Sequence, residues 1–191
     1  MHIRRIACWL LGAWIGGSLF MFVVATQNFR SVDRLLADPS ASAVEHIDKL
    51  GKEPARMLLR YHVSEQNRWY FERWEKVQIA LGALLVALAL GSLRGRLAPG
   101  IALGLLCIVI AERLFLTPEI VRLGRLLDFV SPAASLPERA QFWRLHGGYS
   151  ALEMLKLVVA AVLTGQLIVK GRRRSGQIDL VDESDHRHVD R

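Results

Sequence analysis

Four apolar blocks of similar length, Ile6 to Ala25, Val77 to Leu93, Leu97 to Leu116 and Tyr149 to Val169, constrain this chain more than any other feature. About 20 helical residues at ~1.5 Å of rise cross a hydrocarbon core of ~30 Å, so each block has the length of a membrane span. A hydrophobic content of 52% and a mean hydropathy of +0.25 would also suit a large soluble helical domain; the clustering into blocks decides for lipid. The expected fold is an all-α membrane protein, a four-transmembrane-helix bundle. Its spans fall at about 6–26, 75–93, 97–117 and 148–170, with a helical outer connection at 27–74 and a second outer connection at 118–147. Residues 171–191 read as a charged tail without regular structure, because they lack an apolar period.

The formal net charge of +7 raises the question of nucleic acid, but the arginines bracket the apolar blocks instead of covering one soluble face. Topology accounts for them. Arg4 and Arg5, Arg94 and Arg96, and Lys170 with Arg172, Arg173 and Arg174 fall on one side of a four-span chain, which predicts that both termini are cytoplasmic. The two outer connections also carry many arginines, balanced by acids. Val23-Val24-Ala25 could pass for a signal-peptide cleavage site, but the apolar run before it exceeds the usual h-region, so a retained span is the better reading. Cys8 and Cys107 both lie inside spans, which argues against a disulfide framework and a cysteine metal site.

Between the first two spans, Asn28 to Ala37 and Ser42 to Leu50 each have the pattern of a short amphipathic helix, with Ser42 and Glu45 as a capping box. After Pro54 no breaker appears until Gly82, so one long helix is expected to run from water into the second span. Glu65, Arg68, Glu72, Glu75 and Lys76 on it read as a solvated face of ion pairs, and Trp69, Tyr70, Phe71 and Trp74 as interfacial aromatics. The link Arg94-Gly95-Arg96 is short enough to make spans two and three antiparallel neighbours. Gly12 with Gly16, and Gly100 with Gly104, are GxxxG pairs that favour close helix contact, inside the bundle or with a partner or second copy in the bilayer. Pro118 should close the third span, an amphipathic piece should follow up to Phe129 with a break at Ser131-Pro132, and the last helix should start at Ser135 or the Leu136-Pro137 junction.

The chemistry concentrates at one depth. At 100° per residue His146, Ser150, Glu153 and Lys156 form one stripe on the fourth span, with Thr164 farther along. Glu112 lies about 9 Å inside the third span if Pro118 marks its end, too short to reach water, while Arg113 can snorkel outward. Intramembrane ionisable groups face protein or water, so Glu112, Glu153 and Lys156 should meet, with His146 and Gln78 at the rim. Such a group can be an ion-pair network that fixes helix packing or the lining of an outward-facing polar cavity. His146, Ser150 and a nearby glutamate have the residue types of a hydrolytic site, but nothing marks an oxyanion hole or strained turn, and no catalytic role is expected. No metal-ligand spacing, phosphate-binding glycine loop or cofactor motif is present; His186 and His188 beside tail acids read as solvated.

Trp14-Ile15-Gly16-Gly17-Ser18-Leu19-Phe20, Thr117-Pro118-Glu119-Ile120 and Phe142-Trp143-Arg144-Leu145-His146-Gly147-Gly148-Tyr149-Ser150 resemble the WxGG-x-x-F, P-x-I and F-x-x-LHG-x-S signatures of the transmembrane-protein-205-like domain of unknown function. The resemblance touches the first, third and fourth spans and implies a four-span membrane protein with no settled biochemical activity. Glu153 and Met154 stand where that family would have an asparagine, and the first outer connection is longer and more charged. Together these readings lead to a noncatalytic structural or interaction subunit in a lipid bilayer. The alternative is a small transporter or ligand-binding membrane protein.

Overall fold

The computed structural model describes the backbone of residues 2–92, 97–131 and 134–189, and side chains within these ranges through residue 169, Ser92 apart. Among the described residues there is no strand. The elements are α1 (His2–Ala37), α2 (Ala41–Leu50), α3 (Lys52–Ser92), α4 (Leu97–Ala111), a π-helical turn (Glu112–Leu116), α5 (Thr117–Leu127) and α6 (Pro137–Val189). Four helical stretches are long and apolar enough to cross a membrane: His2–Ala37, Lys52–Gly91, Leu97–Leu127 and Pro137–Val169.

Several boundaries differ from expectation. Residues 28–37, expected as a separate piece, continue α1, since no proline interrupts the chain before Pro39. The N-cap of α2 is Ser40, whose side chain makes no capping bond, and Glu45 accepts from Lys49 at 2.6 Å, so Ser42 and Glu45 form no capping box. Gly51, at φ 88°, provides the left-handed step that joins α2 directly to α3. The third span also runs past Pro118. That proline has no N–H, and its ring would press on the carbonyl four residues back. The chain responds with the widened turn in which the Thr117 N–H donates to the Glu112 carbonyl, and helix then continues to Leu127. Phe129, at φ 64°, follows directly, so the break precedes Ser131; the Arg94-Gly95-Arg96 link and Pro132 lie outside the described residues. α6 opens at Pro137, one of the two expected starts. Its helical backbone reaches Val189 in place of an irregular tail, because no proline after Pro137 compels a stop.

The four long helices form a ring in which α1 and α4 each pack beside α3 and α6. As numbers rise along α1 they fall along its neighbour, with Trp14 against Gly82, Ser18 against Gln78 and Asn28 against Asn67. α3 and α4 are antiparallel in the same way, with Leu106 against Gly82 and Arg113 against Glu75. The buried residues follow a seven-residue repeat on every helix: Ala7, Leu11, Trp14 and Ser18; Glu75, Gln78, Leu85 and Ala89 with Gly82 between them; Ala102, Leu105, Val109 and Glu112; Tyr149, Lys156, Ala160, Leu163 and Leu167. This is the seam spacing of a coiled-coil-like bundle.

Of the two roles expected for the GxxxG pairs, contact inside the bundle is not the one they take. A side chain at Gly12, Gly16, Gly100 or Gly104 would meet nothing within 4 Å, so these pairs face away from the bundle. Gly17 is where helices come close: a Cβ there would lie 2.1 Å from the indole of Trp74, which therefore packs on bare backbone instead of sitting at an interface. At the far end of α1, Val32 and Leu36 pack with Ala55 and Val63 of α3, with Ile47 of α2 alongside. The first connection is thus a folded hairpin with its own small core.

Candidate functional site

One polar layer closes the apolar seam, built from the next seam position of each long helix. α1 brings Ser18, α3 brings Gln78 and Glu75, the π-helical turn that follows α4 brings Glu112, and α6 brings Lys156, with Glu153 on the preceding turn. Glu75, Gln78, Glu112 and Lys156 are all 0% exposed. The Lys156 ammonium donates to Glu112 Oε2 at 2.5 Å, Glu153 Oε1 at 2.8 Å and Gln78 Oε1 at 2.8 Å. The Gln78 amide donates to the two Glu153 oxygens at 3.2 and 3.3 Å and to Ser18 Oγ at 3.4 Å. Trp74 Nε1 also donates to Ser18 Oγ, at 3.3 Å. α3 and α6 stand across the ring from one another, so these long side chains tie together helices whose backbones do not pack side by side.

The expected meeting of Glu112, Glu153 and Lys156 is therefore observed, and Gln78 sits at its centre instead of the rim. His146 and Ser150 do not join it. Both are exposed; Ser150 Oγ donates back to the His146 carbonyl at 2.9 Å, and the His146 ring stacks on Phe142 at 5.6 Å. The reason is angular. The buried line of α6 runs through Tyr149 and Lys156, and Ser150, one residue after Tyr149, is turned away from it by about 100° while His146 is turned by about 60°. Glu153 lies within about 40° of that line and reaches inward. Thr164 is half-buried and bonds only to the Ala160 carbonyl of its own helix, at 2.8 Å.

Glu75 was the residue most misplaced by the sequence, assigned to a solvated face and in fact fully buried. It accepts from Arg113 Nη1 at 3.2 Å and from the Thr117 hydroxyl. Arg113, expected to snorkel, instead turns back to Glu75 and, at 3.4 Å, to Glu72, which also takes Lys76 at 2.9 Å. The widened turn at Glu112–Leu116 matters here, since it brings Glu112, Arg113 and Thr117 to bear on α3 and α6 together. A signal for Glu75 was present: counting back from Ala89 in steps of four and three passes through Leu85, Gly82 and Gln78 and lands on it.

A second network lies farther from the apolar seam, where α3 meets the end of α5. Arg68 grips Asp128 with both terminal nitrogens, at 2.9 and 3.0 Å, and Glu65 at 2.5 Å; Arg125 reaches Glu65 at 3.1 Å. The Arg125 and Arg68 guanidiniums, in that order, hold the Glu65 carboxyl below the usual carboxylate range. Tyr61 packs against Phe129 beside this clamp, ring centroids 5.1 Å apart and tilted by 35°. No group of three metal-ligating side chains converges among the described residues.

The class these features define is a multi-pass helical bundle with a buried ion-pair layer. The chain matches no family model, and no curated protein or solved structure is significantly similar to it.

Proposed function

We propose that this chain is a noncatalytic four-span membrane protein with both termini cytoplasmic, and that it acts as a structural or interaction subunit. The observation that carries the reading is the state of Lys156. All three of its N–H groups are engaged by protein acceptors, and the side chain is 0% exposed, so no donor remains for a solute. Buried ion pairs add little net stability against an apolar alternative, but they penalise every wrong rotation or slip of a helix, since a misplaced partner leaves a charge alone in lipid. Here that penalty acts on α3, α4 and α6 at once. The basic residues at 4–5, 94–96 and 170–174 support the orientation. The outward-facing pairs Gly12/Gly16 and Gly100/Gly104 leave flat surfaces suited to a helix of a second copy or of another membrane protein. The resemblance of the first, third and fourth spans to transmembrane-protein-205-like proteins fits this reading and adds no activity to it.

The test is a charge-pair rescue. Lys156→Met alone should aggregate or unfold the purified protein, and adding Glu153→Gln should return most of the monodisperse fraction. A folded double variant that has lost uptake or binding of a solute would instead establish the transporter reading.

A further inference from the structure

The charges of the buried layer do not balance. Among the described residues, Glu75, Glu112 and Glu153 face only two cations, Lys156 and Arg113. Glu72 offers no relief, being a carboxylate itself and already paired with Lys76. Five of the six carboxylate oxygens are accounted for: Glu75 accepts at both from Thr117 and Arg113, Glu153 accepts at both from Gln78, and Glu112 Oε2 accepts from Lys156. The sixth, Glu112 Oε1, is buried and has no hydrogen-bond partner. One surplus negative charge and one orphaned oxygen thus coincide on the same carboxyl group, 0% exposed, on the widened turn of the third span.

A lone ionised carboxylate is too costly at that depth, and such groups neutralise. Removing the proton from Lys156 would deepen the imbalance, leaving three carboxylates to one cation. A multidentate metal ion is not supported, since no three ligating groups converge among the described residues. From this geometry we infer that Glu112 Oε1 is a proton-binding site, with the resting layer holding Glu112 as the neutral acid whose Oε2 still accepts from Lys156. The groups facing it are Glu75 and Gln78 from α3, Glu153, Lys156 and the buried Tyr149 phenol from α6, and Arg113 from its own turn; α1 contributes Ser18 and no charge. With the proton bound, the layer is neutral: two carboxylates, two cations and one acid. The inference rests on the ion-pair layer proposed above but not on its structural role.

Infrared spectroscopy of the full chain in detergent micelles at neutral pH tests it. The wild type should show the carbonyl stretch of a protonated carboxylic acid, shifted on exchange into D2O. Glu112→Gln should remove that band and Glu153→Gln should retain it. Glu112→Gln copies the neutral acid in shape and charge, so its unfolding midpoint should stay near the wild-type value. Should that variant fail to fold, Glu112→Asp should move the band instead. A wild type without the band, or a band that neither Glu112 variant alters, overturns the inference. So does selective stabilisation of the wild type by Na+ or K+ in the absence of the band, which would give the site to a monovalent cation. A failed Lys156→Met rescue would leave the band unaffected, so the two readings fail separately.

Discussion

The inner layer and the outer clamp both pair carboxylates with cations, at very different burial. In the inner layer Lys156 meets Glu112 with both side chains at 0% exposure, whereas in the outer clamp Arg125 and Glu65 are 62% and 34% exposed. Exposure to water screens the outer pairs and offers each partner a substitute when the other is lost; full burial offers the inner pairs nothing. Breaking a buried pair strands a charge, which is why its loss is expensive even though its formation yields little. Arg68 and Asp128 stand between these limits, at 14% and 13% exposure with bidentate geometry. The contrast teaches that the worth of an ion pair here is set by depth, not by distance.

Several measurements could break that contrast. Lys156→Met should have the largest effect, about 3–5 kcal/mol, read from unfolding midpoints in detergent and largely reversed by Glu153→Gln. Gly17→Ala should come next, at about 2 kcal/mol, because the added methyl collides with the Trp74 ring that donates to Ser18. Gly12→Ala, open on every side, should not lower the same midpoint, since alanine favours helix over glycine, and a drop equal to that of Gly17→Ala would contradict the packing described. Arg68→Ala should cost about 1–2 kcal/mol, and hydrogen exchange should quicken around residues 120–128 while the span interiors stay protected.

The smallest effect is expected at Arg125→Ala, a shift in the unfolding midpoint smaller than that of Arg68→Ala and vanishing in high salt. Acid sharpens the same comparison. Because Glu65 is held below the usual carboxylate range by Arg125 and Arg68, its contribution is complete above that range and disappears as pH falls through its lowered value. Hydrogen exchange in the outer clamp should therefore rise in acid. An outer clamp indifferent to both acid and salt would show that the two networks are not separated by solvent in the way proposed.

How much of this was legible depends on the residue. Glu112, Glu153 and Lys156 announced themselves because an ionisable group inside an apolar block has few acceptable destinations. Glu75 did not, since it stands among Glu65, Arg68, Glu72 and Lys76, where a charged residue needs no special reason. His146 and Ser150 were over-read: spacings of three and four define a stripe about 100° wide, and only its Tyr149–Lys156 edge faces the seam. The glycine pairs show the same limit, because GxxxG marks a surface that permits close approach without saying whether a helix takes it.

By itself the sequence determined how many helices are long and apolar enough to cross a membrane, and the requirement that the acids and base stranded among their apolar residues find partners; apolar length and the cost of an isolated buried charge are local properties that need no neighbours. Tertiary structure alone decided the rotation of each helix, and with it the burial of Glu75, the central place of Gln78, the use of Gly17 over Gly12 and Gly16, and the orphaned oxygen of Glu112. Those outcomes depend on four seams engaging at once and on a widened turn before Pro118, and a helix has no preferred rotation until its neighbours are in place.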